Sequence, residues 1–289
     1  TFTALIYGEP GVGKTTLALS APIPLLLDCE DGASRVEISN LASAAYCRIN
    51  SWNDIASITT DDVIPYQTII IDTIDALVSR CIDSIVGTGK SPTIKQWGEV
   101  KLKVGSVIRT LSQNKNLIVT AQNELTEVSD NKKLWTAVCQ GSSLAAFIPN
   151  CNVVGYLYKD NNGNRVLEFN GNNGTALGKN CFALPTIKLQ DVTIRDNDTF
   201  KSIQQMIIKY RAKEQEFINE YITQWAEIKS LIDNATTPEQ FTAARNKWME
   251  CNDAGIQKLA RNYLNDKNQK AEFGFVFDKG TKSFIRKGE

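Results

Sequence analysis

The stretch Gly8-Glu9-Pro10-Gly11-Val12-Gly13-Lys14-Thr15-Thr16 sets three glycines, a lysine and two threonines directly after the apolar run "TALIY". Its first eight residues satisfy G-x-x-x-x-G-K-[ST] at every fixed position. Glycines let the backbone turn its N–H groups inward around a phosphate, and a helix starting near Gly13 adds its positive end. In this pattern Lys14 reaches the β- and γ-phosphates and the Thr15 hydroxyl ligates a magnesium ion. A glycine turn in a dinucleotide-binding fold is the competing use. The strand before the loop and the helix "KTTLALSA" after it favour phosphate binding.

Two further stretches bear on whether such a phosphate is cleaved. "YQTIIIDTID" has a buried-strand pattern ending in Asp72, the place of a Walker B acid that holds magnesium through water. An N-cap for the following helix is the competing role, and Thr73 or Asp75 would fill it equally well. "PLLLDCEDG" crowds Asp28, Glu30 and Asp31 at the end of another short strand. Acids at the carboxyl edge of a parallel sheet face the ligand crevice. One of them could orient an attacking water, or the group could be a solvated turn; spacing alone leaves both open. Gln122, just past the apolar run of "NLIVTAQNE", is open in the same way, as a γ-phosphate sensor or a hydrogen-bonding loop residue.

Composition narrows the chemistry. The 289 residues, 42% hydrophobic and 22% charged, are those of an ordinary globular protein. There is no histidine, which excludes histidine general bases, Ser-His-Asp triads and histidine-ligated zinc. Seven scattered cysteines (Cys29, Cys47, Cys81, Cys139, Cys151, Cys181, Cys251) form no C-x-x-C pair, which predicts reduced thiols and a cytoplasmic setting. No apolar stretch reaches the roughly 18 residues of a membrane span, so no membrane partner is expected. Lys plus Arg and Asp plus Glu balance at 32 each; a nucleic-acid partner would need a local basic surface. Without an initiator Met, the chain is expected to begin inside a longer one.

Strands and helices alternate from residue 3 to about 120, which predicts a mainly parallel α/β sheet. Val100, Val104, Val107, Ile108 and Leu111 place a helix over residues 99–111. In "CNVVGYLYKDNNGNRVLEFN", Asp160-Asn161-Asn162-Gly163-Asn164 separates two strand-like runs and predicts an antiparallel hairpin. "NGNNGTALGKNCFALP" reads as a polar loop. From about Asp198, apolar residues from Phe200 to Ile232 recur at helical spacing. Thr237-Pro238-Glu239-Gln240 then carries an N-cap, a proline at N1 and a capping-box glutamine. "FGFVFDKGTKSFIRKG" suggests a terminal hairpin or basic tail. The predicted division is a core at residues 1–196 and a mainly helical region at 197–289.

The stretches "GEPGVGKTT", "LLLDCEDG", "IIIDTID", "SPTIKQWGEV", "NLIVTAQNE", "VVGYLYKDNNGNRVLEF" and "GKNCFALP", in that order, resemble the RecA-like core. In particular they resemble phage ATPases of the RecA-core Sak type, single-strand-annealing recombination proteins. The resemblance covers residues 3–184. It implies a RecA-like P-loop fold with a mainly parallel sheet, a C-terminal antiparallel hairpin and ATP with Mg²⁺ as cofactors. Residues 8–16 would hold the nucleotide, Thr15 and Asp72 the metal. By the same resemblance Glu30 is the glutamate that activates water, and Gln122 is the γ-phosphate sensor ahead of a DNA-binding loop.

The family implication is an oligomer, ring or filament, that binds single-stranded DNA, with a single-strand-binding protein as a companion by analogy. If phage-encoded, it would act in the bacterial host cytoplasm. "GTGKSPTIKQWG" offers Lys90, Lys95 and Trp97; "SDNKKLWTAVCQG" offers Lys132, Lys133 and Trp135. Lysines hold phosphates, and aromatic stacking contributes about 1–3 kcal/mol per base; packing of each tryptophan into the core is the alternative. Lys159, Arg165 and Lys179 are candidates for a cation lent to a neighbouring subunit's site. Phe241 and Ala244 fit an F-x-x-A subunit-joining pattern, but a core helix face is the better reading. The expected function is ATP-driven annealing or strand pairing. A hexameric helicase-type motor, or a nucleotide-gated loader with little turnover, is the alternative. A small-molecule kinase fits less well, because no arginine-rich lid follows the phosphate loop.

Overall fold

The computed structural model describes residues 1–32, 44–129, 132–141, 143–189 and 197–287; the side chains of 128, 129, 132 and 173 lie outside that description. Among the described residues, six strands run parallel in the order β3-β2-β4-β5-β1-β7. They are β1 (Thr3–Gly8), β2 (Pro24–Asp28), β3 (Ala45–Arg48), β4 (Thr68–Asp72), β5 (Asn116–Ser129) and β7 (Val153–Lys159). β8 (Arg165–Glu168) and β10 (Ile187–Leu189) extend one edge antiparallel. β6 (Lys132–Ala137) pairs antiparallel with β5, and β9 (Lys179–Asn180) with β7. A mainly parallel α/β fold with an added antiparallel hairpin is therefore what the chain adopts.

The parallel strands read as nearly continuous apolar runs because both faces are covered. Leu5, Tyr7, Ile69, Ile71, Leu117 and Val119 face α3 (Ile74–Val86) and α4 (Ile94–Ser112). Their alternates Ala4, Ile6, Ile70 and Ile118 face α1 (Lys14–Ala18) and Phe200, Ile203 and Ile207 of α6 (Thr199–Asn234). A short helix α2 (Trp52–Ala56) follows β3, with a Ser51–Asp54 capping box. A five-residue helix α5 (Ser143–Phe147) follows β6.

The 160–164 turn forms as its sequence demands. Asp160 Oδ1 accepts the N–H groups of Asn162 and Asn164 at 2.9 and 2.8 Å, and Gly163 supplies φ +82°. α4, in contrast, starts five residues earlier than its apolar period suggests. The Thr93 hydroxyl accepts from the Gln96 N–H, and Gln96 Oε1 accepts from the Thr93 N–H at 2.9 Å, a complete capping box. Lys95 and Trp97 therefore sit on a helix, not in a loop.

Contacts divide the chain into Thr1–Tyr210 and Arg211–Glu289. The boundary expected at 196 moves because Phe200, Ile203 and Ile207 belong to the core of the first unit. The second unit holds the rest of α6, α7 (Pro238–Met249), α8 (Ala254–Lys270) and the hairpin β11 (Phe275–Asp278)–β12 (Ser283–Arg286). Thr237 caps α7 with Pro238 behind it and Gln240 closing the box. Phe241 and Ala244 are fully buried in this unit's own core, as a helix face and not a subunit-joining motif.

Candidate active site

Parallel pairing sets the critical positions in a row along the carboxyl edge of the sheet. Asp28 pairs with Asp72, and Gly8 with Gln122. Gly8 admits no side chain, since a Cβ there would lie 2.0 Å from the Leu157 carbonyl oxygen. Gly11 and Gly13 take φ +75° and +100°, the left-handed conformations that turn the loop. Arg165 Nε donates to the Val12 carbonyl at 3.0 Å, so β8 holds the loop from the side.

Lys14 is buried and donates to the carbonyls of Gly8 and Glu9 at 2.8 and 2.9 Å. The Thr15 hydroxyl donates to Asp72 Oδ2 at 2.7 Å, and Thr120 donates to Oδ1. Burial pushes the Asp72 carboxyl above the usual range; the hydroxyls of Thr120 and Thr15 oppose that shift, Asp28 adds to it, and Lys14 opposes it. Thr73, not Asp72, caps α3, its hydroxyl accepting the Ala76 N–H. Asp72 is thereby left to face Thr15.

The loop after β2 brings Glu30 to the same edge. Asp28 Oδ1 accepts the N–H groups of Glu30 and Gly32 at 3.1 and 2.9 Å, and the Cys29 N–H bonds to the Asp72 carbonyl at 2.7 Å. Gln122 Nε2 donates to Glu30 Oε1 at 2.9 Å. Burial, reinforced by Asp28 and Asp72, holds the Cys29 thiol protonated well above its ordinary range.

This donor set fits a nucleotide with a hard cation. A hydroxyl and a carboxylate, both oxygen donors, suit magnesium, whose remaining ligands are water and phosphate. Among the described residues no cluster of three or more His, Cys, Asp or Glu could hold a metal by itself. The glycine loop leaves Lys14 on its own carbonyls, where phosphate oxygens can replace them.

The aromatic candidates are placed differently from the sequence expectation. β5 does not end near Gln122 but continues to Ser129 and turns back as β6. Trp135 lies in β6, partly buried, and its ring stacks on Tyr156 at 6.4 Å and 17°. Its N–H bonds to the Thr175 carbonyl at 2.9 Å, and its carbonyl accepts the Leu177 N–H at 2.8 Å. Trp97 packs against the same core and against Gly141, where a Cβ would come within 2.4 Å of the ring. Both rings are partly buried against core residues, the packing alternative that the sequence left open beside base stacking. Lys90, Lys95 and Lys133 are exposed; the Lys132 side chain lies outside the described residues. Lys159 is exposed, and Lys179 donates to the Pro149 carbonyl at 2.8 Å.

Thr120 and Arg80 went unread in the sequence. A threonine breaking the apolar run "LIVTA" is the signal for the first. Arg80 Nη2 donates to the Cys29 carbonyl at 3.2 Å, a contact across 51 residues that no local pattern announces.

Among the described residues no helix is long and apolar enough to cross a membrane. No curated protein matches the chain. Residues 2–181, carrying the phosphate loop, Glu30, Asp72 and Gln122, match the model of an AAA domain family, and the chain belongs to that family of P-loop ATPase domains.

Proposed function

We propose that this chain hydrolyses ATP with Mg²⁺ and uses the nucleotide state to control single-stranded DNA, as in the narrower resemblance to annealing proteins of the Sak type. The observation that carries the reading is the Gln122–Glu30 hydrogen bond at 2.9 Å. Gln122 touches the candidate water-orienting acid, and its strand runs on directly into the β5–β6 hairpin.

Residues 8–16 would hold the triphosphate, with Lys14 against its β and γ groups, Thr15 on the metal and Asp72 behind Thr15. Magnesium, when bound, neutralises phosphate charge. Glu30 orients a water and accepts its proton. Gln122 restrains Glu30 and exchanges that bond when the γ-phosphate is present, which links hydrolysis to the hairpin. Such coupling is reciprocal, so DNA must alter nucleotide affinity by the same factor. With Trp97 and Trp135 packed, the DNA contact rests on Lys90, Lys95, Lys132 and Lys133 at the phosphate backbone. Assembly into a ring or filament, and a companion single-strand-binding protein, belong to this proposal.

The test is ATP turnover with and without single-stranded DNA at two salt concentrations, for wild type, Lys14→Ala and Glu30→Gln. Turnover lost in both variants and stimulated by DNA in wild type supports the whole reading. Turnover indifferent to DNA keeps the ATPase and removes the DNA partner. Turnover preserved in Glu30→Gln removes the catalytic role of Glu30; DNA binding and annealing preserved in that variant favour a nucleotide-gated binding protein.

A further inference from the structure

Glu30 extends from a peptide unit that is held at both ends. Its own N–H donates to Asp28 Oδ1 at 3.1 Å. The carbonyl of the same peptide, that of Cys29, accepts from Arg80 Nη2 at 3.2 Å. Asp28 is fully buried, so its grip on the loop does not drift with solvent. Arg80 reaches in from α3. Its Nε is buried with no hydrogen-bond partner among the described residues. A buried donor left unmade is costly, and its retention points to a use for the guanidinium beyond packing.

Arg80 also lines a pocket of about 380 Å³ with Glu30, Gln122, Thr73, Asp75 and Ser79. Across it, the loop after β6 is fastened to α3: the Gln140 N–H donates to Asp75 Oδ1 and Gln140 Nε2 to Ser79 Oγ, both at 2.8 Å. The loop after β6 is thus tied to α3 beside the pocket that Glu30 lines. A planar, permanently charged guanidinium on such a helix is suited to fixing a carbonyl direction.

We propose that Arg80 is a positioning residue for Glu30: with Asp28 it fixes the plane of the 29–30 peptide, and so the direction in which the Glu30 carboxylate leaves the loop. The inference rests on the reading of Glu30 as the group that orients water. Arg80→Met keeps the aliphatic stem and removes every donor. It should lower kcat about 10- to 100-fold, the scale expected of a misplaced catalytic group. KM for ATP and affinity for a fluorescent ADP analogue should stay within about twofold, because the phosphate loop is untouched. Arg80→Lys should recover part of kcat. In the Glu30→Gln background Arg80→Met should cost nothing further, since both act on one step.

If Glu30→Gln is inactive but Arg80→Met keeps wild-type kcat, the Arg80 inference falls and the Glu30 reading stands. If Glu30→Gln retains full turnover, both fall. A loss in Arg80→Met that adds fully to that of Glu30→Gln, or that appears as a raised KM, would show a structural role and overturn the proposal. Should Arg80→Met melt below the assay temperature, Arg80→Gln carries the same comparison with the same outcomes.

Discussion

Around Asp72 polar side chains are buried: Lys14, Asp28, Asp72 and Thr120 lie buried at one sheet edge. In the helical unit, the buried side chains among the described residues are Ile228, Ile232, Phe241, Ala244, Trp248, Ile256, Ala260, Leu264 and Phe275, with Ala235, and none of them is charged. Its hydrogen-bonding side chains lie at caps, as at Thr237 and Asp253, and between elements, as at Tyr263, Asn268 and Thr242. Burying charge costs free energy unless every group is bonded, while burying aromatic and aliphatic surface is the main favourable contribution to folding. The first region thus gives up stability to hold reactive groups still. The second buries an aromatic and aliphatic core.

The comparison breaks most visibly at Phe241. Its ring meets Phe273, Phe275 and Phe284 edge-on at centroid distances of 5.7, 5.0 and 5.6 Å. Phe241→Ala should cost about 3–5 kcal/mol of the stability of residues 211–289. ATP turnover at 25 °C should be unchanged. Calorimetry of the full chain, beside a turnover assay, checks both. Equal loss of activity would show that the helical unit is part of the catalytic machinery and end the contrast.

Thr120→Val inverts the experiment. It adds an apolar side chain to a fully buried position, yet removes a donor from the buried Asp72 carboxylate. The expected destabilisation is about 1–3 kcal/mol. Asp72 already titrates above the usual carboxylate range because of burial, and losing this donor raises it further. A carboxyl with a raised folded-state pKa favours folding at low pH and loses that contribution as pH rises through the folded value. The deficit relative to wild type should therefore be largest at neutral pH and shrink on acidification. If Asp72 is the proposed metal-side acid, turnover should show the opposite trend and recover as pH rises. Urea melts and rate profiles at several pH values test the sign.

The sequence made the phosphate loop, the parallel core and the Asp160–Asn164 turn legible because each depends on local chemistry: glycine freedom, strand periodicity and side-chain bonds within five residues. Asp72 was legible for the same reason, at the end of its apolar run. What stayed hidden depends on pairing at a distance. Nothing local says that β5 continues past Gln122 for seven more residues, since its partner β6 is polar and amphipathic. Without that hairpin, Trp135 looks like a loop residue free to stack on a base. Its real neighbours, Tyr156 and the 175–177 segment, come from strands and turns far along the chain. Arg80 was hidden in the same way.

Within the hairpin the contrast between packing and exposed charge recurs on a small scale, at Trp135 and Lys133. Trp135→Leu should remove a stacked pair of about 0.5–1.5 kcal/mol and lower the melting temperature. Single-stranded DNA affinity should change less than about twofold, because the ring faces Tyr156. Lys133 is exposed, and Lys133→Ala should leave the melting temperature where it is. If its ammonium neutralises a DNA phosphate, the slope of log affinity against log salt should fall by roughly 0.7 for a single strand. A slope unchanged in Lys133→Ala together with a large loss in Trp135→Leu would mean that the hairpin opens its aromatic face to DNA. The packing seen at Trp135 would then be one of two states, not its final use.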